Sequence, residues 1–134
     1  MTDAGDGNFE SEQPSGFLVQ VGARADGTPT VTAAGAIDLL TAPPLADAIR
    51  DAQQGASAVL VDLRRVDFLG SAGLSVLVDA AKRAGESGGR LAIVATTHAV
   101  VHALEVTGLD SVLHLFGDPD EAAAFLATNS TTGA

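Results

Sequence analysis

The spacing of apolar residues changes repeatedly along this chain, and each change marks an element. Phe17-Leu18-Val19-Gln20-Val21 reads as a strand and Thr30 to Ile37 as a second one. Between them Gly22 to Gly27 carries Asp26-Gly27, a hairpin signal. Leu45, Ala48, Ile49 and Ala52 recur at helical spacing, with Thr41 placed as the N-cap, Pro43 and Pro44 in the first turn, and Gly55 at the end. Ser57 to Leu63 is a continuous apolar run, as in strands covered on both faces. Helical periodicity resumes at Ser71. It sets Leu74, Leu77, Val78 and Ala81 on one face and Ser71, Ser75, Asp79 and Lys82 on the other.

After the turn Gly85-Glu86-Ser87-Gly88-Gly89, Leu91 to Ala95 is the next strand. Thr97 stands where it can cap a helix of Val100, Val101, Leu104 and Val106, closed at Gly108. Val112 to Phe116 reads as a short last strand. Asp118-Pro119-Asp120-Glu121 then supplies a cap, a proline at the first helical position and first-turn acids for a helix ending near Ala127. The order ββαβαβαβα implies an α/β domain with a mixed, mostly parallel sheet and an antiparallel opening hairpin. Residues 1–16 are polar and aperiodic and are expected to be a disordered tail; 17–127 form one domain, and 128–134 a flexible tail.

Composition narrows the function. Hydrophobic residues make up 46% of the 134 and charged residues 18%, which describes a globular chain able to bury an ordinary core. The net charge of −10, with only seven Lys and Arg, argues against nucleic-acid binding, which needs clustered cations. It suits docking on a basic protein surface, and it also simply favours solubility. Cysteine is absent, so disulfides and thiolate sites are excluded. No run approaches the roughly eighteen apolar residues of a membrane span. Asp3, Asp6, Glu10 and Glu12 rule out a basic signal-peptide start, so a cytoplasmic protein is expected.

Among candidate chemical groups Ser71 stands out, because it lies where a loop enters a helix and unpartnered N–H groups favour an anion. A capping serine occupies the same position for purely structural reasons. As a nucleophile it lacks the Gly-x-Ser-x-Gly elbow, since Gly70 is adjacent, and no histidine is paired with it in the sequence. His98 and His102 are spaced like a metal pair, but Glu105 is poorly directed as a third ligand, so a solvent-facing pair is the better account. His114, in an apolar stretch, reads as a core or edge residue. The Gly85 to Gly89 cluster precedes a strand and has no phosphate-loop lysine. No catalysis, no cofactor and no metal are expected.

Strand, connector, Gly70-Ser71-Ala72-Gly73-Leu74 and amphipathic helix resemble the Asp-Ser-x-Gly-Leu core of the STAS-domain anti-sigma factor antagonists. Gly35-Ala36-Ile37-Asp38 is similar to that family's Gly-x-apolar-Asp, and Thr107-Gly108-Leu109 to its Ser/Thr-Gly-Leu. The resemblance runs from about Phe17 to Leu126. It implies the STAS fold and a protein that binds an anti-sigma factor, itself a serine kinase of the partner-switching type, thereby freeing a sigma factor for transcription. It also implies that phosphorylation of Ser71 by that kinase ends the interaction, and that Asp38, Gly70, Ser71, Ala72 and Ser75 face the partner. Gly70 replaces the family's acid. That departure leaves a second expectation open, an unphosphorylated STAS scaffold in a signalling assembly or a lipid-transport complex.

Overall fold

In the computed structural model, which describes residues 16–132, five strands and four α-helices alternate much as the pattern predicts. They are β1 (Leu18–Ala23), β2 (Pro29–Ile37), α1 (Ala42–Gly55), β3 (Ala58–Leu69), α2 (Ser71–Glu86), β4 (Arg90–Val94), α3 (His98–Val106), β5 (Leu115–Phe116) and α4 (Pro119–Thr132). Residues 1–15 of the tail expected over 1–16, and residues 133–134 of the other, lie outside the described residues. α4 itself continues past the expected stop near Ala127.

The strands lie in the sheet in chain order, β1-β2-β3-β4-β5. β1 is antiparallel to β2, and every later pair is parallel. One sheet face is buried by α1, α2 and α3, whose Leu45, Ile49, Leu77 and Leu104 meet Val31, Ile37, Val61 and Ile93. The other is covered by α4, where Ala122, Ala123 and Leu126 meet Leu60, Ala92 and Val94. Cover on both faces is why Val59, Leu60, Val61 and Leu63 are all apolar, with Asp62 the one charged residue among them. Among the described residues no helix is long and apolar enough to cross a membrane.

Three expectations change. β3 does not stop at Leu63 but runs to Leu69, and its second half is charged because β4 pairs with it only as far as Asp62. Beyond that point only β2 flanks it, so Arg64, Arg65 and Asp67 reach solvent while Val66 and Leu69 stay inside. Residues 109–111 form a 3-10 turn, and the last strand shrinks to Leu115–Phe116, leaving Val112 exposed. The buried stripe of α2 is Gly73, Leu77, Ala80 and Ala84, with Leu74, Val78 and Ala81 only half-buried. α2 approaches the sheet so closely that small residues occupy the contact.

Asp62 is buried on the α4 side and held by Arg64, whose guanidinium donates to its carboxylate at 2.8 Å. Burial opposes its charge. The side-chain and backbone hydrogen bonds from Arg64, with the attraction of its charge, outweigh that and hold the carboxyl below the ordinary aspartate value.

Candidate functional site

Ser71 and Asp38 are brought to one end of the sheet, beyond the carboxyl ends of the parallel strands β2 and β3, and the 107–109 corner lies beside α2. Open α/β sheets place their sites at that end. The join is made by the backbone: β2 pairs Ile37 with Leu69, and the Gly70 N–H donates to the Ile37 carbonyl at 2.9 Å. Ser71 follows as the first residue of α2, with Gly70 in the N-cap position. The capping account of Ser71 therefore does not hold, because no side chain caps this helix. Its hydroxyl is exposed and has no hydrogen-bond partner among the described residues.

Two glycines of the sequence motifs have steric reasons. A Cβ on Gly73 would stand 2.6 Å from both Ile37 Cγ2 and Leu69 Cδ1, so glycine lets the first turn of α2 sit on the sheet. Gly35 has φ +97, at an irregularity of the β2–β3 ladder, and a Cβ there would overlap the Gly16 carbonyl.

Asp38 organises the turn between β2 and α1. Its Oδ1 accepts from the Leu40 and Thr41 N–H groups at 3.0 and 3.1 Å. The Thr41 hydroxyl accepts the Asp38 N–H at 2.8 Å and donates to the Ala36 carbonyl at 2.8 Å. Thr41 thus sits in the N-cap position but ties the turn backward rather than capping α1. Thr97 behaves likewise at α3, donating to the Val66 carbonyl at 2.9 Å. Oδ2 of Asp38 has no partner among the described residues and faces solvent with the rest of that side chain.

The wall of α2 that bears Ser71 borders a groove of about 440 Å³, lined by Ser71, Leu74, Ser75, Val78, Asp79, Thr107 and Leu109. The opposite wall is the end of α3, where Thr107 donates to the Ala103 carbonyl at 2.8 Å and Gly108, at φ +75, turns the chain. Two segments far apart in sequence, around Ser71 and around Thr107-Gly108-Leu109, are therefore one surface. Ser75 is exposed on it, one turn from Ser71, while Ala72 leans into the core and Gly70 is half-buried. No lysine or arginine lines the groove. A phosphate on Ser71 would stand at the positive end of α2, which favours the helix rather than melting it.

The histidines stay apart from this site. His98 and His102 stack on the exposed side of α3 with ring centroids 5.2 Å apart. His114 is exposed with its ring 4.5 Å from that of Phe125. Missing from the sequence reading are Leu39, Leu40 and Phe68, large apolar side chains left exposed at the end of the sheet that bears Ser71. The one signal was Leu39-Leu40 itself, which falls between the strand pattern and the helix pattern.

Comparison with known proteins agrees with this arrangement. The family model described as "Mlab, STAS domain" matches residues 22–116. The anti-sigma-F factor antagonist RsfB of Mycobacterium tuberculosis is 32% identical over 110 residues, 81% of this chain and 88% of that protein. The crystal structure of an anti-sigma factor antagonist from Mycobacterium paratuberculosis superposes with a TM-score of 0.76 at 32% identity, covering 85% of this chain and 97% of the other. An anti-sigma-factor antagonist (STAS) domain protein from Planctomyces limnophilus gives 0.68 at 26% identity, covering 81% and 97%.

Proposed function

The chain belongs to the STAS domain family, and from that membership we propose that it is an anti-sigma factor antagonist, switched off by phosphorylation of Ser71. Unmodified, it docks on an anti-sigma factor through Asp38, Gly70, Ser71, Ala72 and Ser75, and the sigma factor held there is released. The anti-sigma factor is also the serine kinase and binds the ATP. This chain is its substrate, works in the cytoplasm and carries no catalysis of its own. The observation that carries this reading is the Ser71 hydroxyl, exposed, unpartnered among the described residues and set beside a groove at the start of α2. Relatives named as antagonists support the partner class.

The switch follows from electrostatics. A phosphate brings about −1.5 to −2 charges. Placed inside a docked interface, it would have to be desolvated at the same end of the sheet as the exposed carboxylate of Asp38, and an unpaired buried charge is costly. No refolding of the antagonist is needed.

One observation favours a second reading, a STAS scaffold that works without phosphorylation: Gly70 stands where the resembled motif has its acid. Incubation with purified anti-sigma factor kinases and ATP, followed by intact mass, separates the two. The antagonist reading expects one added phosphate, abolished by Ser71→Ala. Binding without any gain in mass would favour the scaffold.

A further inference from the structure

We propose that Leu39, Leu40 and Phe68 form the apolar anchor that the anti-sigma factor grips, and that Gly70 leaves the Phe68 ring room to lie beside Ser71. The proposal rests on the antagonist reading of the Ser71 surface.

Folding gives these side chains no reason to be where they are. Leu39 is 80% exposed, Leu40 72% and Phe68 51%; the other large apolar residues exposed among the described ones are valines on β1, α3 and the 109–112 turn. Nor is their exposure the result of a slack loop. The Asp38 carboxylate holds the Leu40 and Thr41 N–H groups, and Thr41 is bonded back to Ala36, so the turn that displays the leucines is fixed at both ends. Ladder register brings Phe68 to the same place: Ala36 is opposite Phe68, Ile37 is opposite Leu69, and Gly70 bonds to Ile37. Ser71 comes next in the chain, so the three apolar groups and the phosphorylatable hydroxyl share one end of two neighbouring strands.

Gly70 fits this arrangement. Its backbone is extended, at φ −86 and ψ −179, which any residue adopts, so conformational freedom does not account for it. A Cβ there would lie 3.1 Å from Phe68 Cε2 and 3.5 Å from Cζ, so the half-exposed ring rests along the glycine and would have to give by a few tenths of an ångström to admit an acidic side chain. The departure from the family motif thus leaves the Phe68 ring next to the serine without a charge between them. A rigid aromatic ring flanked by two leucines is the composition of an interface hot spot, and a pre-fixed turn loses little entropy on binding.

The occupant is the anti-sigma factor, because the patch is continuous with the Ser71 surface where that protein docks. Its matching face has an apolar recess for Phe68, edged by donors or cations for the free Oδ2 of Asp38. The arrangement also strengthens the switch, since a phosphate on Ser71 would be set against apolar groups that cannot solvate it.

The test is calorimetric titration of an anti-sigma factor against the full chain and its Leu40→Ser, Phe68→Ser, Gly70→Asp and Ser71→Glu variants. Leu40→Ser and Phe68→Ser are each expected to lose about tenfold or more in affinity while melting like the wild type. Gly70→Asp is expected to lose several-fold, and its effect should largely vanish in the Phe68→Ser background, because both act through one ring. If Ser71→Glu weakens binding while the apolar variants bind like wild type, the anchor is overturned and the antagonist reading stands. If the wild type binds no anti-sigma factor, both fall. If the apolar variants only convert a dimer of this chain to monomer, the patch belongs to self-association and the proposal is wrong.

Discussion

Gly73→Ala adds one methyl group where the structure has no room for it. The new Cβ would lie 2.6 Å from Ile37 Cγ2 and from Leu69 Cδ1, whereas unstrained carbon contacts lie at about 3.5–4.0 Å. Roughly an ångström must therefore be found against two side chains at once. Both belong to the buried core, and Ile37 is β-branched and stiff at χ1, so the cheaper adjustment moves the first turn of α2 outward. Overpacking of this kind costs about 1–3 kcal/mol, here toward the upper end because neither neighbour is free to swing away. Replacing helical glycine by alanine returns up to about 1 kcal/mol. The net expectation is a loss of about 1–2 kcal/mol, or about 4–8 °C in Tm for a domain of this size. The chain has no Trp and no Tyr, so unfolding is best followed by circular dichroism or calorimetry. Gly85→Ala is the control: it lies near the end of the same helix, with nothing within 4 Å of its Cβ, and should be neutral or slightly stabilising. An unchanged or raised Tm for Gly73→Ala would refute the steric account of this motif glycine.

Two further perturbations test the core and the buried carboxylate of Asp62. Leu77→Ala removes a fully buried side chain of α2 and should cost about 2–5 kcal/mol in urea titrations; a loss well under 1 kcal/mol would mean the α2–sheet contact is not close-packed. The folded-state value of Asp62 lies below the ordinary 3.8, so its stabilisation is full above that value and is lost as pH falls through the folded one. In Arg64→Met the opposing effect of burial is left unbalanced, so the stability gap to wild type should be widest at neutral pH and close below about pH 4. A gap that stays constant with pH would count against the pair.

Much of this was legible in the sequence because local rules and tertiary packing agree. The run at 59–63 reads as a strand covered on both sides, and it is. The motifs around Asp38 and Ser71 lie on loops at one end of the sheet, that around Gly108 lies beside α2, and three of their glycines, Gly35, Gly73 and Gly108, are held by contacts or by a positive φ that favours glycine. What was not legible depends on distances between elements. Periodicity puts the bulkiest residues of a helix inward, yet α2 lies so near the sheet that Gly73, Ala80 and Ala84 take the contact, and Leu74 and Val78 line a groove instead. Leu39, Leu40 and Phe68 carry no pattern that separates them from core residues; only the register of β2 with β3 shows that they are left outside. Thr41 and Thr97 have the composition of caps, but their hydroxyls reach backbone carbonyls of other segments.

The claim on which the account turns is that Ser71 is the group that is modified. Site-resolved phosphopeptide mapping, after incubation of the full chain with its anti-sigma factor kinase and ATP, tests it directly. Phosphate is expected on Ser71 and on no other residue. Phosphate on Ser75, one helical turn away along the same groove, or on a threonine, with Ser71 unmodified, would contradict it.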